Sequence, residues 1–201
     1  MKKFIYLMMA FSLVTFASCN KDTKPDDEND TAPETARILE NFENGGMLTW
    51  TGRNGCVFEI VANPAKGGIN TSDHVGKYTT ADAEWDFVWT TAFGVTETVT
   101  EPTFLNFTND GFVIKVDVYS PAAGILIYCK LEGFAAGSPE IQDVRTTKAN
   151  EWETLEYDFE TFVPYGLVDG EGKNFVFCVD AGGTTPGTVV YMDNIRQVKG
   201  E

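Results

Sequence analysis

The stretch FVIKVDVY (112–119) alternates strictly: Phe112, Ile114, Val116 and Val118 fall on one side, and Val113, Lys115, Asp117 and Tyr119 on the other. Alternation with a period of two is the mark of a strand with one buried face. Short runs rich in Val, Ile, Phe, Tyr and Thr recur along the chain between clusters of Gly, Pro, Asn and Asp, while no long segment shows a 3.6-residue apolar period. This pattern predicts strands near 37–43, 47–51, 56–62, 75–80, 85–91, 112–119, 124–131, 141–147, 152–159, 174–180 and 188–198. So many short strands in one stretch without an internal repeat or linker predict an all-β domain, a two-sheet antiparallel β-sandwich over residues 35–201.

The faces follow from the same period. In ILIYCKL the apolar set is Ile125, Ile127, Cys129 and Leu131, which leaves Leu126, Tyr128 and Lys130 on the other side. The turn-forming string SPAAG between this run and FVIKVDVY predicts a hairpin whose mixed face carries Lys115, Asp117, Tyr128 and Lys130. In WETLEYDF, Glu153, Leu155, Tyr157 and Phe159 take the core side. Trp152 falls opposite, either as a packing residue over the sheet or as a ligand platform, with packing favoured because large aromatics are mostly buried. In EWDFVWT, Trp85, Phe87 and Trp89 share a face, and a core position is the default for that trio. Fraying at either end would make Trp85 or Trp89 an exposed platform.

The first residues have a different character. Met1, Lys2 and Lys3 precede the apolar run FIYLMMAFSLVTF, which is too short to span a bilayer, and Ala17 and Ser18 precede Cys19. Residues 1–18 read as a secretory signal, and FASC resembles the lipobox after which bacterial lipoproteins are lipidated, with Phe16 where Leu is usual. The resemblance implies a lipid on Cys19 as the membrane anchor. Residues 19–34 then form an acidic tether without a large apolar side chain. Asp26, Asp27 and Glu28 resemble the acidic signal that sends some lipoproteins to the outer leaflet; a merely soluble linker reads the same way.

Charge and chemistry narrow the partners. The net charge of −15 becomes −17 once Lys2 and Lys3 are removed, a field that repels nucleic acid and anionic headgroups. Beyond Cys19 the cysteines are Cys56, Cys129 and Cys178, an odd number in which one disulfide can form. His74 is the sole histidine, so histidine-rich metal sites are close to excluded, and a His-dependent triad would need both of its other members placed around this single loop position. Paired carboxylates for glycoside hydrolysis are available as Glu151 with Glu153 or Glu156 with Asp158, but acids are numerous enough to pair by chance, and a non-catalytic role is favoured.

Three segments, NFENG (41–45), NPAKGGINTSDHVGKY (63–78) and YMDNI (191–195), resemble the opening, middle and closing strands of jelly-roll carbohydrate-binding modules. VYSPAAGILIYCKLEG (118–133) and KANEWETLEYDF (148–159) extend the likeness to a domain that recurs in surface lipoproteins of polysaccharide-utilisation systems. The resemblance implies non-catalytic binding of a polysaccharide or oligosaccharide at the outer membrane, on the cell surface, beside the components of a glycan importer. It also implies a structural calcium held by Glu43 and Asp193, with carbonyls of the Lys66–Gly68 loop; exposed strand carboxylates are the alternative reading of those two residues. Sugar recognition needs flat aromatic faces and planar polar groups, and the expected site combines Trp85, Trp89, Tyr128, Lys130, Trp152 and Asp117.

Overall fold

The computed structural model describes residues 36–91, 105–183 and 185–200. The signal, Cys19 and the tether lie outside them. Pro33–Glu201 forms one compact unit. Its strands are β1 (Ala36–Glu40), β2 (Trp50–Arg53), β3 (Val57–Ala62), β4 (His74–Thr79), β5 (Phe87–Thr90), β6 (Val113–Tyr119), β7 (Ile127–Glu132), β8 (Glu140–Ile141), β9 (Trp152–Asp158), β10 (Asn174–Val179) and β11 (Val189–Val198). A single helical turn, α1 (Phe107–Asp110), precedes β6, and short 3-10 turns occupy Glu43–Gly45 and Glu160–Tyr165.

All pairings are antiparallel. One sheet has the order β3-β4-β11-β6-β9, with β1 also on β11, and the other β2-β5-β10-β7-β8. The fold is the expected β-sandwich. The expected hairpin is not: β6 pairs β11 and β9 in the first sheet, whereas β7 pairs β10 and β8 in the second. SPAAG therefore carries the chain from sheet to sheet. Alternation had assigned both inner faces correctly, since Ile114, Val116 and Val118 meet Ile127, Cys129 and Leu131 in one core. It says nothing about which strand is the neighbour. The predicted 141–147 strand shrinks to Glu140–Ile141, with a lone bridge between Leu126 and Arg145.

Gly76 in β4 lets two aromatic rings lie on the strand; a Cβ there would stand 2.4 Å from Phe58 and 2.8 Å from Phe42. Phe42, Phe58 and Trp50 pack as one group at this end of the core. The chain from β1 to β2 is organised around the fully buried Glu40. Its Oε1 accepts N–H bonds from Asn41, Phe42 and Met47, and its Oε2 accepts from Leu48 N–H and Trp50 Nε1. Five donors meet the two oxygens, so the buried charge is compensated by converging dipoles rather than by a cation.

Strand β11 changes partner along its length. Val189–Met192 pair with β4, and Ile195–Val198 with β1. Between them the register against β6 slips at Asp193/Arg196, and Asn194 adopts φ 47, the left-handed region in which Asn is better tolerated than most residues. The DN pair of the closing motif is thus a bulge.

Candidate functional site

The two outer faces of the sandwich hold the expected site residues, four on one and two on the other. In β5 the inner side is the polar-looking one. Asp86, at the strand's entry, accepts from Tyr78 OH at 2.8 Å and from Ala81 N–H, and Thr90 Oγ1 accepts the Phe175 N–H at 3.0 Å. With these polar groups satisfied inside beside Val88, the trio Trp85, Phe87 and Trp89 faces outward, which corrects its default reading as core. Trp85 is 49% exposed.

The outer face of the five-stranded sheet is laid out by register. Thr51, Trp89, Val176, Lys130 and Glu140 form one cross-strand row, and Tyr128 pairs Cys178 two residues along β7. Trp85 stands edge-on to Tyr128, ring centroids 6.5 Å apart. Tyr128 OH donates to Glu140 Oε2 at 2.5 Å, and Gln142 Nε2 donates to Oε1. Burial, with this bond to Glu140, pushes the phenol of Tyr128 well up, so it remains a donor. Lys130 pairs with Glu132 at 3.2 Å, and Asn174 Nδ2 donates to the other Glu132 oxygen. The Arg53 guanidinium lies 5.4 Å from the Trp89 ring centre, and the Trp89 indole N–H is buried with no acceptor.

Asp117 and Trp152 lie on the other sheet. Asp117 is buried and accepts from Thr154 Oγ1, Asn194 Nδ2 and Arg196 Nη1 at 2.8–3.0 Å. Trp152 is 4% exposed, donates its Nε1–H to Ala65 O at 2.9 Å, and packs against Tyr119. Both have their polar groups bonded within the chain, Trp152 to the 63–73 loop and Asp117 to its own sheet. The same loop brings Asn70, fully buried, to Asp193 at 2.7 Å.

Asp193 is fully buried, and burial raises its pKa, with nearby Asp117 acting in the same direction; Ser72, Asn70 and the Asn194 N–H oppose this only in part. A buried carboxylate is the kind of hard oxygen a divalent cation takes, but this one already accepts the Asn70 Nδ2–H and the Asn194 N–H, so an ion there would need the Asn70 amide to turn its oxygen inward. Glu43 fits less well. Its Oε1 accepts the N–H groups of Asp73 and His74, and its Oε2 faces His74 Nδ1 at 3.3 Å. Those bonds, led by the His74 N–H, lower its pKa. Among the described residues no three His, Cys, Asp or Glu side chains come together as a metal cluster.

The carboxylate pairs considered for hydrolysis are engaged elsewhere. Glu153 is buried and accepts from Thr147 N–H, Thr147 OH and Lys148 N–H, holding the turn before β9. Glu156 pairs with Lys115, and Asp158 accepts the Glu160 N–H. Cys56, Cys129 and Cys178 are free and buried, with burial pushing the Cys178 thiol up to about 12.

No protein-family model matches the chain, and no curated protein matches it. Solved structures do. The family 11 carbohydrate-binding module from Clostridium thermocellum, in complex with a beta-1,3-1,4-mixed-linked tetrasaccharide, aligns over 82% of this chain and 95% of its own, with a TM-score of 0.51 at 12% identity. TmCBM61, in complex with beta-1,4-galactotriose, covers 82% and 99% with a TM-score of 0.49 at 18% identity. The CBM22-1 xylan-binding domain of Paenibacillus barcinonensis Xyn10C covers 85% and 100% with 0.45 at 16%. At 12% identity the likeness to the family 11 module is one of fold, and it agrees with the two antiparallel sheets described above.

The structure brings the expected residues Trp85, Trp89, Tyr128 and Lys130 onto one face, together with Arg53, Glu132, Glu140 and Asn174, which the sequence did not single out. Glu140 sits ahead of a predicted strand that is barely formed, and Arg53 ends a strand predicted to stop at 51. Only pairing register brings these residues together.

Proposed function

We propose that the protein is a non-catalytic carbohydrate-binding lipoprotein that holds a polysaccharide or oligosaccharide on the outer face of its five-stranded sheet. One observation carries this reading: a half-exposed Trp85 stands against Tyr128 beside the bonded group Glu140, Lys130, Glu132 and Asn174. A flat apolar ring next to a row of planar polar groups suits a pyranose, which has an apolar CH face and a rim of hydroxyls. The ligands named for the modules of similar fold are sugars, which supports the same ligand class here. Cys19 is the proposed lipid anchor, placing the domain at the outer membrane, facing the cell surface, where an importer of glycans is its proposed partner. A structural calcium at Asp193, with Asn70 and Ser72, belongs to the same proposal; such an ion would neutralise that buried carboxylate and fix the 63–73 loop.

Affinity gels containing xylan, mixed-linked β-glucan or β-1,4-galactan test the proposal. One polymer retards the wild-type protein, Trp85→Ala weakens retardation roughly ten-fold, and Trp85→Ala melts like wild type because half of the ring is already in solvent. Equal retardation of wild type and Trp85→Ala would move the site off this face.

A further inference from the structure

The outer face of the five-stranded sheet does not stop at Lys130. Beyond it, between the β7–β8 connection and the turn at Glu160–Tyr165, lies an open recess of about 500 Å³ that Lys130 and Glu140 also line. Phe134, Phe162 and Leu167 line it and belong to, or pack on, the core, so its floor is apolar and rigid. Tyr165 stands at its wall and is 76% exposed, the highest value among the exposed large apolar side chains.

An exposed tyrosine on a wandering loop would carry little meaning, but this one is held. Gly166 adopts φ 96 as the cap of the turn, donating its N–H to Val163 O, and Leu167 N–H reaches Phe162 O. A Cβ on Gly166 would stand 2.4 Å from the Cβ of Ala136. The turn is therefore seated directly on the β7–β8 connection at a point where only glycine fits, and Tyr165 is presented from a backbone with little room to shift. Beside the recess Lys130 is paired with Glu132, and Glu140 is hydrogen-bonded by the neutral groups of Tyr128 and Gln142, so its negative charge would repel an acidic ligand. A neutral ring would meet an aromatic wall, an apolar floor and hydrogen-bonding rims.

We propose that this recess is a further subsite for a neutral pyranose, with Tyr165 as its stacking platform, continuing the sugar path that starts at Trp85 and Tyr128. The inference rests on the carbohydrate-binding reading of the adjoining face. Tyr128 and Lys130 are alternate residues of β7, about 7 Å apart, so Trp85 and the recess serve different units of one chain.

The test is a length series. The purified protein is titrated calorimetrically with oligosaccharides of two to six units cut from mixed-linked β-glucan, xylan and β-1,4-galactan, and with oligogalacturonates. Wild type gains affinity with length on one neutral series. Tyr165→Ala loses roughly five- to ten-fold on the longest members, matches wild type on the shortest, and keeps the same melting temperature; Tyr165→Phe restores the length dependence. If Tyr165→Ala follows wild type at every length, the subsite is overturned while the binding face stands. Tyr165-dependent binding of oligogalacturonates overturns the neutral class. Failure of wild type to bind any series removes the reading on which the subsite rests.

Discussion

The two sheets of this sandwich present outer faces that treat their tryptophans differently. On the six-stranded sheet, the 63–73 loop lies over the strands, Trp152 is bonded to Ala65, Asp193 to Asn70, and Asp117 to Thr154, Asn194 and Arg196. On the five-stranded sheet, Trp85 is half exposed, Arg53 rests on Trp89 from the solvent side, and a recess opens at Lys130. Aromatic and charged residues occur on both. What separates Trp152 from Trp85 is whether another part of the chain already packs on the ring; farther along the same sheet, at Lys115, Glu156 and Asp158, the six-stranded face is open as well.

The comparison breaks most easily at Trp152. Trp152→Ala opens a cavity under the loop and orphans the Ala65 carbonyl, an expected loss of about 3–4 kcal/mol in chemical unfolding. Its folded fraction binds glycan as wild type does. Reduced affinity at unchanged stability would mean Trp152 belongs to a site after all. Arg196→Ala is next. It leaves Asp117, buried beside Asp193, without its cation, at an expected cost of about 2–3 kcal/mol, and a double variant with Asp117→Asn recovers part of that loss. The smallest effect sharpens the contrast through pH. Because burial raises the pKa of Asp193, the folded state holds that proton more tightly than the unfolded chain does. In chelator, its contribution therefore favours the fold at pH below the unfolded carboxylate value and is lost as pH rises through the higher folded value. Adding calcium at neutral pH raises the melting temperature, and Asp193→Asn removes both the calcium response and this part of the pH trend; no response in wild type removes calcium from the description.

The sequence carried this contrast only in part. Alternation fixed which residues of β6, β7 and β9 share a side, and those sides are as expected. It could not say that β6 and β7 belong to different sheets, because alternation is a property of one strand and pairing a property of two. For EWDFVWT it gave the right grouping and the wrong default. The apolar trio looks like core until Tyr78 and the Phe175 N–H supply partners that let Asp86 and Thr90 go inside. Trp152 and Asp117 were grouped with the others by chemistry alone, and only strand pairing shows that they lie on the other sheet, Trp152 bonded to the 63–73 loop and Asp117 to its neighbouring strands. Tyr165 had no sequence signal, being a lone aromatic in a turn without period.

Glu40 gives the molecule a mechanical property. Among the described strands β1 pairs with β11, Ala36 opposite Val198 and Glu40 opposite Ile195, and Arg37 also reaches Asp110. Tension applied to the chain ahead of Ala36 would load these pairs from the Ala36 end first. The peel then reaches Glu40, where five hydrogen bonds converge on one carboxylate and have to yield together. That side chain would act as a rip-stop: strain entering at β1 could fray the margin of the domain without running on into the strands beyond Glu40.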